Sequence, residues 1–185
     1  MRKAPTAHWH AHQVELFLLE PHDVTDSYAG WLNDPEVNRY LESRFVPHDI
    51  ASVRDFVGGV LADSRALLLG IRALGRHVGN IKLAPIEVHH GLGEVGIMIG
   101  EREAWGRGLG SEAIRCVATI AAQEFGLRKL TAGCYASNVG SAKAFQKAGF
   151  HVEGVRPRHF LLDGRPEDLI LMAQFLDAGA SAISK

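Results

Sequence analysis

Trp105-Gly106-Arg107-Gly108-Leu109-Gly110 sets three glycines at alternate positions directly ahead of a run with helical periodicity. Glycine lets a backbone turn sharply, and successive amide N–H groups at a helix N-terminus then point at one spot. Such a turn is an anion cradle with pyrophosphate as its natural guest, and Arg107 adds a charge-assisted contact. A P-loop would need Gly-Lys-Ser/Thr to hold Mg2+, whereas Gly110 is followed by Ser111-Glu112. A dinucleotide fingerprint would need a glycine at Ser111 and an acidic residue ending the next strand, which here reads Cys134-Tyr135. Taken alone, the glycines also fit a tight strand-to-helix turn that binds nothing.

The elements that must hold this turn follow from composition and periodicity. A chain of 185 residues with 46% hydrophobic content fills one sizeable core, so one domain over 1–185 is expected, with 1–12 as a flexible tail. Twenty Lys plus Arg against 21 Asp plus Glu leave a net charge of -1, which argues against nucleic acid as a partner. A local basic cluster can still hold one phosphorylated small molecule. The longest apolar stretches, such as Ala66 to Ile71, fall far short of the roughly 20 residues a bilayer needs. Behind Arg2 and Lys3 comes Ala7-His8-Trp9-His10-Ala11-His12 where a signal peptide would be apolar, so a cytoplasmic protein with Cys116 and Cys134 reduced is expected.

Along the chain the pattern predicts a strand at Val14 to Leu19, a helix from about Asp23 to Leu32 and a short helical piece from Glu36 to Leu41. A second helix carries Ile50, Val53, Phe56, Val57, Val60 and Leu61 in register. Strands at Ala66 to Arg72, Val78 to Ala84 and Glu94 to Ile99 make an antiparallel meander. After the glycine turn come a helix to about Phe125, a strand at Leu130 to Tyr135, a helix at Val139 to Lys147 and strands at Phe150 to Val155 and Leu169 to Phe175. This is an α/β (α+β) layout, a mixed and mostly antiparallel sheet with helices over one face.

Glu94-Val95-Gly96-Ile97-Met98-Ile99 followed by the glycine turn and Ser111-Glu112-Ala113 resembles the acetyl-CoA-binding core of the GNAT N-acetyltransferases, in particular the ribosomal-protein acetyltransferase (Rim-type) branch. Asn138-Val139-Gly140-Ser141 and Ala144-Phe145-Gln146-Lys147-Ala148-Gly149-Phe150 resemble that branch's Asn-x-x-Ser helix ending in Lys-x-Gly-Phe. The resemblance implies a sheet with a V-shaped splay between two central strands and acetyl-CoA as co-substrate, with no metal. Pantetheine would pair with the strand residues Ile97, Met98 and Ile99, chiefly through the backbone of Met98 and Ile99. Residues Trp105, Gly106, Arg107, Gly108, Leu109, Gly110 and Ser111 would take the pyrophosphate. Asn138 would hold the pantetheine arm, and Lys143 or Lys147 would reach the nucleotide end, unless either is plain solvated surface.

Acetyl transfer to an amine needs a free amine, a stabilised oxyanion and a proton for the departing thiolate. The resemblance makes a backbone N–H near Met98 on the splayed strand the oxyanion donor and Glu94 the base, against the reading of Glu94 as an ordinary strand-end glutamate. The family's tyrosine acid is Phe145 here, and a phenyl ring donates no proton. Ser141 is then the candidate acid, its other reading being a helix cap, and Tyr135 is a second candidate. Cys134 and Cys116 read as small buried hydrophobes, and His8, His10 and His12 as a weak chelate at most.

For the acceptor the sequence offers Trp31, Tyr40, Arg44 and Arg156, with Asn38, Glu42, Arg158, His159 and Phe160 nearby. The arginines suit a phosphate or a carboxylate, or are solvated edge charges. The expected function is direct transfer of acetyl from acetyl-CoA to a primary amine: a peptide or protein N-terminus, an amino sugar or another small amine. The alternative is a catalytically weak or inactive CoA-binding sensor or scaffold. Homodimerisation is only a family expectation.

Overall fold

The run Leu67-Leu68-Leu69-Gly70-Ile71 has no polar face, and a strand made from it must be covered on both sides. In the structure, a computed structural model that describes residues 8–176, it is. Eight strands form one sheet in the order β1-β2-β3-β4-β5-β6-β8-β7. They are β1 (His8–His10), β2 (Glu15–Leu18), β3 (Leu67–Ala73), β4 (Arg76–Glu87), β5 (Leu92–Ile99), β6 (Lys129–Tyr135), β7 (His151–Leu162) and β8 (Arg165–Phe175). Only β5 and β6 run parallel; the other neighbours are antiparallel.

The helices are α1 (Asp26–Asn33), α2 (Pro35–Asn38), α3 (Ile50–Ala62), α4 (Leu109–Phe125) and α5 (Val139–Lys147). Thr25, Asp34, Asp49 and Asn138 cap α1, α2, α3 and α5 by accepting from first-turn N–H groups. Leu16, Leu69, Ile71, Ile81 and Val95 pack with Ile114, Val117 and Ala121 of α4 in one core. Phe17 and Leu68 pack with Tyr28 and Trp31 of α1 and Val53 and Val57 of α3 in a second. Helices thus cover both faces, not the one expected. The mixed, mostly antiparallel α/β sheet flanked by helices stands as read. Each fully buried aliphatic side chain, Ile71 or Ile114 for example, is worth about 1.5–3 kcal/mol.

Two further expectations change. His8–His10, placed in a flexible tail, is an edge strand paired with β2; residues 1–7 lie outside the described residues. It is held by Trp9 Nε1–H donating to Glu124 Oε1 at 2.8 Å and by His8 against Glu15 at 2.6 Å, so His8 is committed to a carboxylate. The last two strands also run well past their expected ends, because a bulge between Arg156 and Phe160 absorbs the polar residues that break the alternation. Among the described residues no helix is long and apolar enough to cross a membrane.

Candidate active site

The parallel pairing of β5 with β6 lasts for Leu92, Gly93 and Glu94 opposite Lys129, Leu130 and Thr131. Beyond it β5 stays with β4 as far as Ile99, and β6 stays with β8 as far as Tyr135. The two strands part into a V. Antiparallel ladders alternate between hydrogen-bonded and non-bonded pairs. Gly100 N–H donates to Val78 O at 2.9 Å, and counting back from there puts Met98 in a bonded pair with Asn80. A Cβ on Gly79 would collide with the Met98 carbonyl oxygen, which therefore faces β4. The backbone groups of Ile97 and Ile99 face the V instead, so the expected pairing of pantetheine with the Met98 backbone is corrected, and the N–H groups near Met98 that face the V are those of Ile97 and Ile99. Trp105 Nε1–H donates to the Ile99 carbonyl at 2.7 Å, tying the glycine turn to the end of β5.

Gly106 (φ 72°) and Gly108 (φ 79°) adopt the left-handed conformation that makes the turn possible. The first bond inside α4 runs from Glu112 N–H to Gly108 O, 3.1 Å, so the N–H groups of Leu109, Gly110 and Ser111 have no acceptor within the helix. Ser111 is buried and its hydroxyl donates to Gly108 O at 2.8 Å, which braces the turn and leaves its amide to face outward. A Cβ on Gly110 would stand 3.8 Å from Ile97, Ile99 and Ala144, so the turn lies against both β5 and α5. Arg107 folds back, its Nε–H donating to Glu103 O at 2.8 Å. Glu112 went unread as a structural group. Its buried carboxylate accepts the N–H groups of Gln13 and Val14, fastening the β1–β2 connection to the first turn of α4.

Asn138 Oδ1 accepts from Ser141 N–H at 3.1 Å, so the cap of α5 is Asn138 and not Ser141. The half-buried Ser141 hydroxyl makes no hydrogen bond among the described residues. Lys143 and Lys147 are exposed on the helix surface. Glu94 is exposed at the closed end of the V, opposite Thr131. Phe145 is 2% exposed, edge-on to Phe150 with centroids 5.0 Å apart. Phe145→Tyr should therefore bury a hydroxyl among apolar groups and lower stability by about 1–3 kcal/mol without raising turnover. A denaturant midpoint measured beside the turnover number checks this.

Cys134 and Cys116 are buried; burial raises both thiols, Cys116 to about 11, and neither is a thiolate near neutral pH. Among the described residues no group of three His, Cys, Asp or Glu side chains could hold a metal ion.

On the opposite side of the sheet from α4, a cavity of about 550 Å3 is lined by Glu42, Arg44, Phe45, Tyr135 and residues of the β7–β8 hairpin, among them His159, Phe160 and Leu161. Tyr135 stacks on Phe160 (4.4 Å, 17°) and lies beside Tyr40 (5.6 Å). Its hydroxyl donates to Glu42 Oε1 and accepts from Arg44 at 3.0 Å. Burial first and the Glu42 carboxylate next raise the Tyr135 phenol above its ordinary range, so it remains protonated. Arg44 is spent on the Leu41 and Leu161 carbonyls, Tyr135 and Glu42, and its side chain is 13% exposed. It is a strut of this pocket, not the free anion receptor expected.

Of the other acceptor-side expectations, Tyr40 reaches Ser137 O at 3.4 Å. Trp31 is buried over Gly100, its indole donating to Glu101 at 3.1 Å. Arg156 is exposed on the outer strand β7.

An open strand edge, three N–H groups with no partner in the helix and two left-handed glycines are what a pantetheine arm and a pyrophosphate require, so these residues fit coenzyme A. Residues 13–151 match the family model described as an acetyltransferase (GNAT) domain. A probable N-acetyltransferase of Bacillus subtilis, YjcK, is 37% identical over 68 residues, a stretch that is 37% of this chain and 38% of that protein. Among solved structures, RimL, a ribosomal L7/L12 α-N-protein acetyltransferase in complex with coenzyme A, superposes with a TM-score of 0.80 at 18% identity, covering 91% of this chain and 97% of that one. A spermidine N-acetyltransferase from Vibrio cholerae in complex with CoA and spermine gives a TM-score of 0.78 at 20% identity over 89% of this chain and 96% of that one.

Proposed function

Because the chain belongs to the GNAT acetyltransferase family, we propose that it moves the acetyl group of acetyl-CoA directly onto the primary amine of a peptide, an amino sugar or a small amine. It is an acyltransferase that uses acetyl-CoA. The observation that carries the proposal is the V between β5 and β6 with the glycine turn at its open end. In this reading Ile97 and Ile99 align the pantetheine arm by backbone pairing, and one of their N–H groups receives the developing oxyanion. The amides of Leu109, Gly110 and Ser111 hold the pyrophosphate, and Asn138 and Lys147 lie along the path of the cofactor. Ser141 gives the departing sulfur a proton. Two carboxylates, Glu94 and Glu42, face the acceptor side and are the candidates for the proton the amine must lose.

The test is thiol release from acetyl-CoA with a panel of peptide N-termini, amino sugars and polyamines. Turnover on one class names the acceptor. Ser141→Ala should then lower kcat by roughly 10–100-fold while acetyl-CoA binds as in the wild type. Tight acetyl-CoA binding with no turnover on any amine would instead favour a CoA-binding sensor.

A further inference from the structure

The last paired residues of the seam, Glu94 and Thr131, share a face of the sheet. Four residues further along each arm stand Met98 and Tyr135, and an even number of steps returns each side chain to that same face. At roughly 3.3 Å per residue both lie about 13 Å beyond the seam, facing each other across the mouth of the V. Glu94 is left at the bottom, about 10 Å short of the level of the Ile97 amide and about 17 Å short of that of Ile99. The Tyr135 hydroxyl points to Glu42 on the loop between α2 and α3, and donates to its carboxylate. Glu42 lines the cavity, every hydrogen bond it makes among the described residues goes to Oε1, and the side chain is 59% exposed.

We propose, resting on the function above, that Glu42, held by Tyr135 and Arg44, receives the acceptor's ammonium and takes its proton. The charged groups around it are consistent with one task. Arg44 and the Tyr135 hydroxyl both contact Glu42 Oε1 and so fix the orientation of the carboxylate. His159 and Asp163 line the same cavity, and Asp163 is paired with Arg39 at 2.9 Å. Arg44, the one arginine or lysine among the residues that line the cavity, is already held by the Leu41 and Leu161 carbonyls, Tyr135 and Glu42. The protons balance as follows. Glu42 takes one from R–NH3+ and passes it to solvent on its exposed side. The free amine forms the C–N bond to the thioester carbon. As the C–S bond breaks, the Ser141 hydroxyl delivers its proton to sulfur and takes up the nitrogen's second proton in its place, leaving an amide, a thiol and an unchanged serine.

The test uses whichever of 2-phenylethylamine, spermidine and a synthetic N-terminal peptide turns over fastest, with wild type, Glu42→Gln, Glu42→Asp, Tyr135→Phe and Glu94→Gln. Glu42→Gln is expected to lower kcat/KM about 100-fold at pH 7 with acetyl-CoA affinity retained, and the deficit should shrink as rising pH deprotonates the amine in solution. Glu42→Asp should recover part of the activity. Glu94→Gln should cost less than a tenth of the loss seen in Glu42→Gln. Calorimetric binding of the same amine without acetyl-CoA should weaken about tenfold in Glu42→Gln. A Glu42→Gln enzyme with the wild-type pH profile and amine affinity, beside a crippled Glu94→Gln, overturns the inference and leaves the function standing. Wild-type protein that binds acetyl-CoA yet acetylates no amine overturns the function itself.

Discussion

Gly108→Val should weaken binding of acetyl-CoA by roughly tenfold or more while leaving a protein that still folds. Gly108 begins α4 at φ 79°, a conformation that costs an L-residue about 1–2 kcal/mol and a β-branched one more. The turn can escape this strain only by moving its φ toward negative values, and that swings the amides of Leu109, Gly110 and Ser111 away from their common focus. About 1.4 kcal/mol is tenfold in affinity, so a loss of roughly tenfold or more is expected from the strain alone. Calorimetric titration with acetyl-CoA reads it, with Gly106→Val as the companion at the other left-handed glycine. Unaltered affinity in both would mean that the turn does not hold the pyrophosphate.

The second large effect is on stability. Glu112→Ala removes the carboxylate that accepts the N–H groups of Gln13 and Val14, at a residue only 7% exposed. The amide of the buried Val14 then lacks an acceptor while that of the exposed Gln13 turns to solvent, and with the lost charge-assisted bonds a fall of about 2–3 kcal/mol is expected. For a chain of this size that is a fall in Tm of about 5–10 °C. Glu112→Gln retains a carbonyl acceptor and should lose less. Equal Tm values for all three proteins would show that the clamp carries no weight.

The residues that proved easiest to read were those whose role is written in backbone conformation or in a local pattern. The glycine turn, the α4 that follows it and the alternating runs of β3, β4 and β5 depend on short-range rules of turn and periodicity, whereas the cap of α5 fell to Asn138 and not to Ser141. Glu112 was legible only as a member of a motif, because its partners lie 98 and 99 residues away. Tyr135, Glu42 and Arg44 meet over separations of 91 and 93 residues, and nothing in the spacing of three polar residues announces a shared pocket.

Phe145 could be recognised as a missing acid, but its burial against Phe150 depends on tertiary packing. The expected pairing of pantetheine with the Met98 backbone gave way for a related reason. Which of two adjacent residues turns its amide to the V is set by the register with β4, and the sequence of β5 alone does not contain it.

The seam between β5 and β6 has a mechanical meaning. Three residue pairs join a ladder of five strands to a ladder of three, so the sheet resembles two plates sharing a short hinge. In the proposed function a pantetheine arm laid along β5 would occupy the gap as an additional strand does, bracing one plate against the other. Binding of the co-substrate is then also a stiffening of the scaffold, and the acceptor meets a cavity wall, Tyr135, carried on the plate opposite the one that holds the thioester. The distance across which the amine must reach is set by how far the hinge is wedged open, and the molecule that wedges it is the acetyl donor.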